Sequence, residues 1–165
     1  FVGYHSAAGR VGNPLSHTHS TATTEVKLNG KPCSEFLLFS WACAQLGVPT
    51  VFLAGDKMLT EDSQGLHPLL HTVAVKDGFG GATKCLQPNL ACKKIREMSE
   101  KALKQDLSHA GITLPEEFTF EVSYKEHKNA VSKSFYPGFT LVDSHTIRMV
   151  TKNYTDILRA VLFCL

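Results

Sequence analysis

Two histidines and a glutamate in the first 35 residues have the types and placement that suit a divalent metal ion. His5 ends an apolar run and Glu35 opens an apolar segment. His17 lies between them, in a stretch rich in glycine and serine. Neutral imidazole nitrogen and carboxylate oxygen are donors that zinc-like ions prefer. A histidine that is not a ligand can instead transfer protons near neutral pH. The alternative is a hydrogen-bonded histidine at a strand end and a glutamate that caps a helix.

The segments that carry these residues are predicted to form a strand, a loop and a helix. Residues Phe1–Tyr4 are apolar and predict a buried strand, and residues 6–22 predict a loop. A second strand, Thr24–Leu28, ends at Asn29–Gly30, a strong tight-turn signal. Ser34 can cap a helix that runs to about Leu46. This helix is apolar all round, so we expect it to be buried, either within the chain or in an oligomer.

The rest of the chain alternates between strand-like and helix-like segments. The predicted strands are Pro49–Ala54, His71–Val75, Phe118–Val122 and Thr146–Val150, and the predicted helices are a short one through Thr60–Ser63, one over Asn89–Ser108 and one from Asn153 to the C-terminus. Such alternation indicates a single α/β domain over residues 1–165, with a largely parallel sheet flanked by helices. Because the first strand starts at residue 1, we expect this sheet to be incomplete at its N-terminal side.

Composition excludes several classes of partner. The formal net charge is only +2 and charged residues make up 19% of the chain, so we expect no nucleic-acid or membrane partner. No apolar run approaches the roughly 20 residues of a membrane span. The five cysteines are odd in number and widely spaced, without a CxxC pair. Free thiols in a reducing compartment, such as the cytoplasm, explain them best.

The amino-acid sequences of several segments, and their order along the chain, resemble the zinc-dependent D-aminopeptidases of the DppA type. The resemblance spans the whole chain, through Gly3–Ala8, Pro14–Thr18, Leu28–Glu35, Gly47–Val51, Ala54–Asp56, Val73–Lys76, Ala82–Leu86 and Tyr136–Gly138. It implies a site with two zinc ions, in which His5 and Glu35 match metal ligands and His17 matches the catalytic histidine. The implied reaction is metal-assisted hydrolysis that releases N-terminal D-residues from short peptides, in a homo-oligomeric ring.

The chain departs from this family at the remaining metal ligands. An Asp-x-Glu pair and a further histidine, which the family places before the strand that ends at His5, have no counterpart here. We therefore expect an incomplete zinc site, in a fragment or one half of a split enzyme, with little activity of its own. The competing hypothesis is a non-catalytic, self-assembling α/β protein that has kept the fold and lost the metal site. If the metal interpretation holds, the ligand atoms of His5 and Glu35 should lie within about 4 Å of each other.

Other candidate residues have weaker support. His19 alternates with His17 and could chelate with it, but an incidental surface histidine is the preferred interpretation. His67 and His71 have helical spacing, but the neighbouring Pro68 favours solvated loop histidines. The segment Gly78–Gly81 with Lys84 lacks a complete phosphate-binding motif, so we expect a mobile loop near the substrate. Asp56 and Lys76 either line a pocket or form an ion pair.

Overall fold

Two β-sheets and five helices make up the protein, which a computed structural model describes over residues 1–165. The strands are β1 (Val2–Tyr4), β2 (Thr23–Leu28), β3 (Lys31–Pro32), β4 (Phe52–Asp56), β5 (His71–Phe79), β6 (Ala82–Cys85), β7 (Phe118–Tyr124), β8 (Phe139–Leu141) and β9 (Thr146–Thr151). The helices are α1 (Glu35–Gln45), α2 (Lys57–Asp62), α3 (Pro88–Lys104), α4 (His127–Ser134) and α5 (Tyr154–Cys164).

The first sheet has the strand order β1-β4-β5-β6. Strands β1, β4 and β5 run parallel, and β6 returns antiparallel to β5 in a hairpin. This arrangement confirms the predicted α/β fold with a largely parallel sheet. Strand β4 is buried on both faces: Phe52 and Ala54 pack towards Ala102 of α3, and Leu53 packs with Phe36 and Leu59 on the other side.

The second sheet was not part of that prediction. It has the order β3-β2-β7-β9-β8, and all of its pairs are antiparallel. Alternate residues of β7 are buried, as expected of a sheet with one face in a core. Together with α1, α4 and α5 the sheet encloses the largest hydrophobic cluster of the protein, which includes Val26, Leu28, Phe118, Phe120, Val122, Ile147 and Ile157.

Helix α1 lies between the two cores, and this explains why its sequence is apolar all round. Phe36 packs against Phe1 with ring centroids 5.2 Å apart, in the small cluster beside the first sheet. Trp41 packs on Phe118 of the second sheet at 5.9 Å. The hydroxyl of Tyr154 in α5 donates to the carbonyl of α1 at Leu38, at 2.7 Å. Burial within the chain therefore accounts for this helix without an oligomer.

Three local predictions differ from the structure. Strand β1 exists but is not buried, because it lies at the edge of its sheet and leaves Val2 58% exposed. The predicted loop at Gly78–Gly81 is the end of β5 and the turn of a hairpin, because residues 82–85 continue as a paired strand. Helix α3 ends at Lys104 rather than near Ser108.

None of the helices combines the length and the apolar character needed to cross a membrane.

Candidate metal centre

The end of β1 and the start of α1 bring His5 and Glu35 together. His5 is the first residue after β1, at the carboxyl end of a parallel strand, where α/β folds place their sites. Glu35 is the first residue of α1, whose N-cap Ser34 accepts a hydrogen bond from the amide of Leu37 at 3.1 Å. The Nε2 atom of His5 lies 3.9 Å from Oε1 of Glu35, which meets the distance expected for two ligands of one ion.

His17 joins this pair from the loop that follows β1. Its Nε2 atom also lies 3.9 Å from Oε1 of Glu35, and its ring lies over that of His5 with centroids 4.4 Å apart. The three donor atoms are all within 4.8 Å of one another. Each side chain is about a quarter exposed, at 26% for His5, 30% for His17 and 22% for Glu35. The cluster is therefore open to a ligand from solvent.

The hydrogen bonds of the two imidazoles leave the same nitrogen free in both rings. Nδ1 of His5 lies 3.1 Å from the carbonyl oxygen of Ser6, and Nδ1 of His17 lies 2.6 Å from that of Leu15. Because a carbonyl oxygen only accepts, each Nδ1 carries a hydrogen, and in the neutral form of each ring Nε2 has a lone pair. Both lone-pair nitrogens and a carboxylate oxygen thus form one cluster, and this donor set fits zinc.

The backbone of His19, rather than its ring, contributes to the site. Its amide donates to Oε1 of Glu35 at 3.0 Å, and the residue has the positive φ of 55°. The ring of His19 packs edge-on against Phe39, with centroids 5.7 Å apart, outside the cluster. The expected surface histidine is therefore found, but the amide contact that orients Glu35 was not predicted.

Asp56 neither faces a pocket nor forms the ion pair considered for it. Lys76 is its neighbour in register on β5, yet no ion pair joins the two side chains. The carboxylate is fully buried and accepts hydrogen bonds from the amide of Ser6 at 2.7 Å, from the hydroxyl of Ser6, and from the amide of Leu59 at 2.8 Å. Asp56 is thus hydrogen-bonded to Ser6, the residue that follows His5.

The remaining histidine and glycine candidates lie away from the cluster. His67 is only 4% exposed, so the expectation of a solvated loop histidine is wrong for it. Its ring packs against Phe36, with centroids 6.1 Å apart, and both ring nitrogens lack a hydrogen-bond partner. His71 opens β5 and bonds through Nε2 to Oε1 of Gln105 at 3.1 Å. The hairpin at Gly78 replaces the expected mobile loop.

Comparisons with known proteins find similar sequences and a similar fold over almost the whole chain. The sequence model of a family described as D-aminopeptidase matches residues 1–163. A curated relative, the D-aminopeptidase of Bacillus subtilis (strain 168), is 25% identical over 164 residues, which cover 98% of this chain and 60% of the relative.

A solved structure is also similar, that of the Zn-dependent D-aminopeptidase DppA from Bacillus subtilis, described as a self-compartmentalizing protease. The TM-score is 0.87 at 24% identity, over 98% of this chain and 60% of the other. At this identity the likeness shows a shared fold. The chain spans about 60% of the length of the relatives that it matches.

Proposed function

This chain belongs to the D-aminopeptidase family, and we propose that it acts in the zinc-dependent hydrolysis of short peptides that begin with a D-residue. The observation that carries the proposal is the cluster of His5, His17 and Glu35, in which two lone-pair nitrogens and one carboxylate oxygen lie within 4.8 Å of one another. The similar sequence and the similar structure are both described as D-aminopeptidases, and the structure as Zn-dependent.

His5 and Glu35 are the residues to which we assign metal binding. One ends a strand and the other opens a helix, so regular backbone fixes both positions. Glu35 is further oriented by the amide of His19. Zinc, when bound, acts as a Lewis acid that polarises a carbonyl group and promotes the ionisation of water.

His17 is the residue to which we assign proton transfer. It lies in the loop that follows β1, and its Nδ1 atom donates to the carbonyl of Leu15 at 2.6 Å, which leaves Nε2 free. A neutral imidazole with a free Nε2 beside the reacting groups can accept a proton and return it. The same geometry also suits a third ligand, and the two roles predict different metal contents when His17 is replaced.

Donor number limits what residues 1–165 can do alone. Three side chains suffice for one zinc ion at most, and two are fewer than a catalytic zinc uses. We therefore propose that residues 1–165 bind no more than one zinc and hydrolyse peptides slowly. We further propose that a site for two ions needs additional ligands, as the resemblance to zinc-dependent D-aminopeptidases implies.

The test is a zinc titration combined with an assay on paired dipeptides. Residues 1–165 and the protein as its gene encodes it are freed of metal, titrated with zinc, and assayed on D-alanyl and L-alanyl dipeptides. We expect zinc-dependent release of D-alanine by the encoded protein, with Glu35→Gln and His5→Ala reducing zinc binding. The proposal fails if the encoded protein does not release D-alanine with zinc bound, or if these two variants bind zinc as tightly as the natural sequence.

We also propose that the protein assembles with copies of itself in the cytoplasm. Helix α5 leaves Leu162 and Phe163 exposed at 79% and 60%, and large exposed apolar side chains on one helix favour a protein contact. The related structure is described as self-compartmentalizing. All five cysteines are unpaired, which favours a reducing compartment. The exposed face of α5 suits the non-catalytic, self-assembling alternative equally well, and the dipeptide assay separates it from the enzyme.

A further inference from the structure

We propose that Asp56 is a positioning residue that orients His5 for metal binding, acting through Ser6. Its role towards zinc rests on the function proposed above, whereas its role in fixing the His5 ring is a property of the metal-free chain. Asp56 is not one of the three clustered side chains, and it belongs to β4, whereas His5 follows β1.

The carboxylate of Asp56 is buried without a basic partner. The side chain is fully inaccessible, and no lysine, arginine or histidine is among its hydrogen-bond partners. Removing a charge from water is costly unless hydrogen bonds replace the lost solvation. Three donors do so here: the amide and hydroxyl of Ser6 and the amide of Leu59. A carboxylate placed in this way holds its donors firmly.

Two of these donors belong to the residue that also controls the ring of His5. Oδ2 of Asp56 accepts a hydrogen bond from the Ser6 amide, and Oδ1 accepts one from the Ser6 hydroxyl. The backbone and the side chain of Ser6 are therefore both bound to one buried carboxylate. The carbonyl of the same Ser6 accepts the hydrogen on Nδ1 of His5. Fixing Ser6 therefore fixes the acceptor that keeps Nε2 of His5 free and directed at Glu35. Such outer hydrogen bonds set the orientation and tautomer of metal-binding histidines.

Helix capping alone does not explain the arrangement of Asp56. The cap of α2 uses only Oδ1, which accepts the amide of Leu59. The bond from Oδ2 to the Ser6 amide contributes nothing to α2 and joins β4 to the end of β1. Gly12 closes the space beside it, since a Cβ on Gly12 would lie 3.0 Å from Oδ1.

The test compares two variants of Asp56 with a matched helix-cap variant. Asp56→Ala removes every bond, and Asp56→Asn has one acceptor where the carboxylate has two. Asn153→Ala removes a comparable cap from α5, where Oδ1 of Asn153 accepts the amide of Thr155, far from the site in the chain. Circular dichroism establishes that each protein is folded, and Asp56→Asn serves if Asp56→Ala does not fold.

The first readout needs no metal. Long-range ¹H–¹⁵N NMR at about pH 8, where imidazoles are neutral, reports which nitrogen of His5 carries the hydrogen. We expect the Nδ1–H form in the natural sequence and in Asn153→Ala, and a large fraction of the Nε2–H form in both Asp56 variants. The inference is wrong if the folded Asp56 variants keep the natural tautomer, or if the natural sequence already has the Nε2–H form.

The second readout is the zinc dissociation constant. We expect the Asp56 variants to bind zinc about 10- to 100-fold more weakly, and Asn153→Ala to bind it as the natural sequence does. Unchanged zinc affinity in the Asp56 variants contradicts the inference. A natural sequence that binds no zinc contradicts the proposed function instead, and the tautomer comparison then still decides whether Asp56 orients His5.

Discussion

Replacing Gly12 by alanine tests the close packing that holds the site loop in place, that is, the segment between β1 and β2 that carries His17. A Cβ at residue 12 would overlap the Cβ of Met58 and the hydroxyl of Ser6, and would lie 3.0 Å from Oδ1 of Asp56. On its other side the backbone of Gly12 packs against Gly78 of β5 so closely that a side chain there would overlap it. The overlapping atoms are the Cβ of Met58 and the hydroxyl of Ser6, and neither is the free end of a long side chain. The backbone must therefore move to make room for the alanine.

The expected cost follows from this overlap. Inserting one carbon into a packed interior costs about 1–3 kcal/mol. For a chain of this size, each kcal/mol lowers the melting temperature by about 2–4 °C, which gives a total of about 2–12 °C. Because the displaced atoms include Ser6 and Asp56, the variant should also bind zinc more weakly.

The assay is thermal unfolding by circular dichroism, with Gly81→Ala as the control. Gly81 has ordinary backbone angles and nothing within 4 Å of its ideal Cβ, so alanine there should leave stability unchanged or raise it by up to about 1 kcal/mol. If Gly12→Ala melts at the temperature of the natural sequence, or if the two variants lose equal stability, the packing argument is refuted.

Three further predictions concern parts of the chain outside the site loop. Burial lowers the pKa of His67, so the unfolded chain binds the proton first as the pH falls below about 6.5, and stability should drop there by up to about 1.4 kcal/mol per pH unit. His67→Leu should weaken this dependence in urea titrations at about pH 7.5 and about pH 5.5, and an unchanged dependence would contradict the assignment. Leu162→Glu should lower the mass of the assembly in native mass spectrometry, whereas Leu46→Glu, at the similarly exposed end of α1, should not. An unchanged mass in Leu162→Glu would exclude this face of α5 as the contact. Asn153→Ala should cost about 1 kcal/mol in urea unfolding through the lost cap, and no loss would mean that the cap bond is not formed in solution.

The elements that position His5 and Glu35 could be predicted from local sequence. Ser34 caps α1 as expected, and Asn29 and Gly30 take the positive φ values of a tight hairpin turn. These features depend on a few adjacent residues, so one sequence suffices to identify them. The meeting of His5 with Glu35 follows from their places at a strand end and a helix start.

Features that depend on distant residues were missed. The prediction that β1 is buried assumed a central position, whereas apolar residues alone do not distinguish an edge strand from a central one. The burial of His67 depends on contact with Phe36, which precedes it by 31 positions. The amide of His19 donates to Glu35 from a left-handed backbone conformation of His19. The local sequence does not specify that conformation.

The roles proposed for His5 and His17 differ in whether the residue holds zinc, and one paired measurement distinguishes them. His5→Ala and His17→Ala are prepared in the protein as its gene encodes it, and zinc content and turnover of a D-alanyl dipeptide are measured on the same samples. We expect His5→Ala to lose zinc and activity together. We expect His17→Ala to keep its zinc and to lose about 100-fold or more in turnover, as when a positioned acid or base is removed. Loss of zinc from His17→Ala to the same extent as from His5→Ala would contradict the assignment of His17 to proton transfer and make it a ligand.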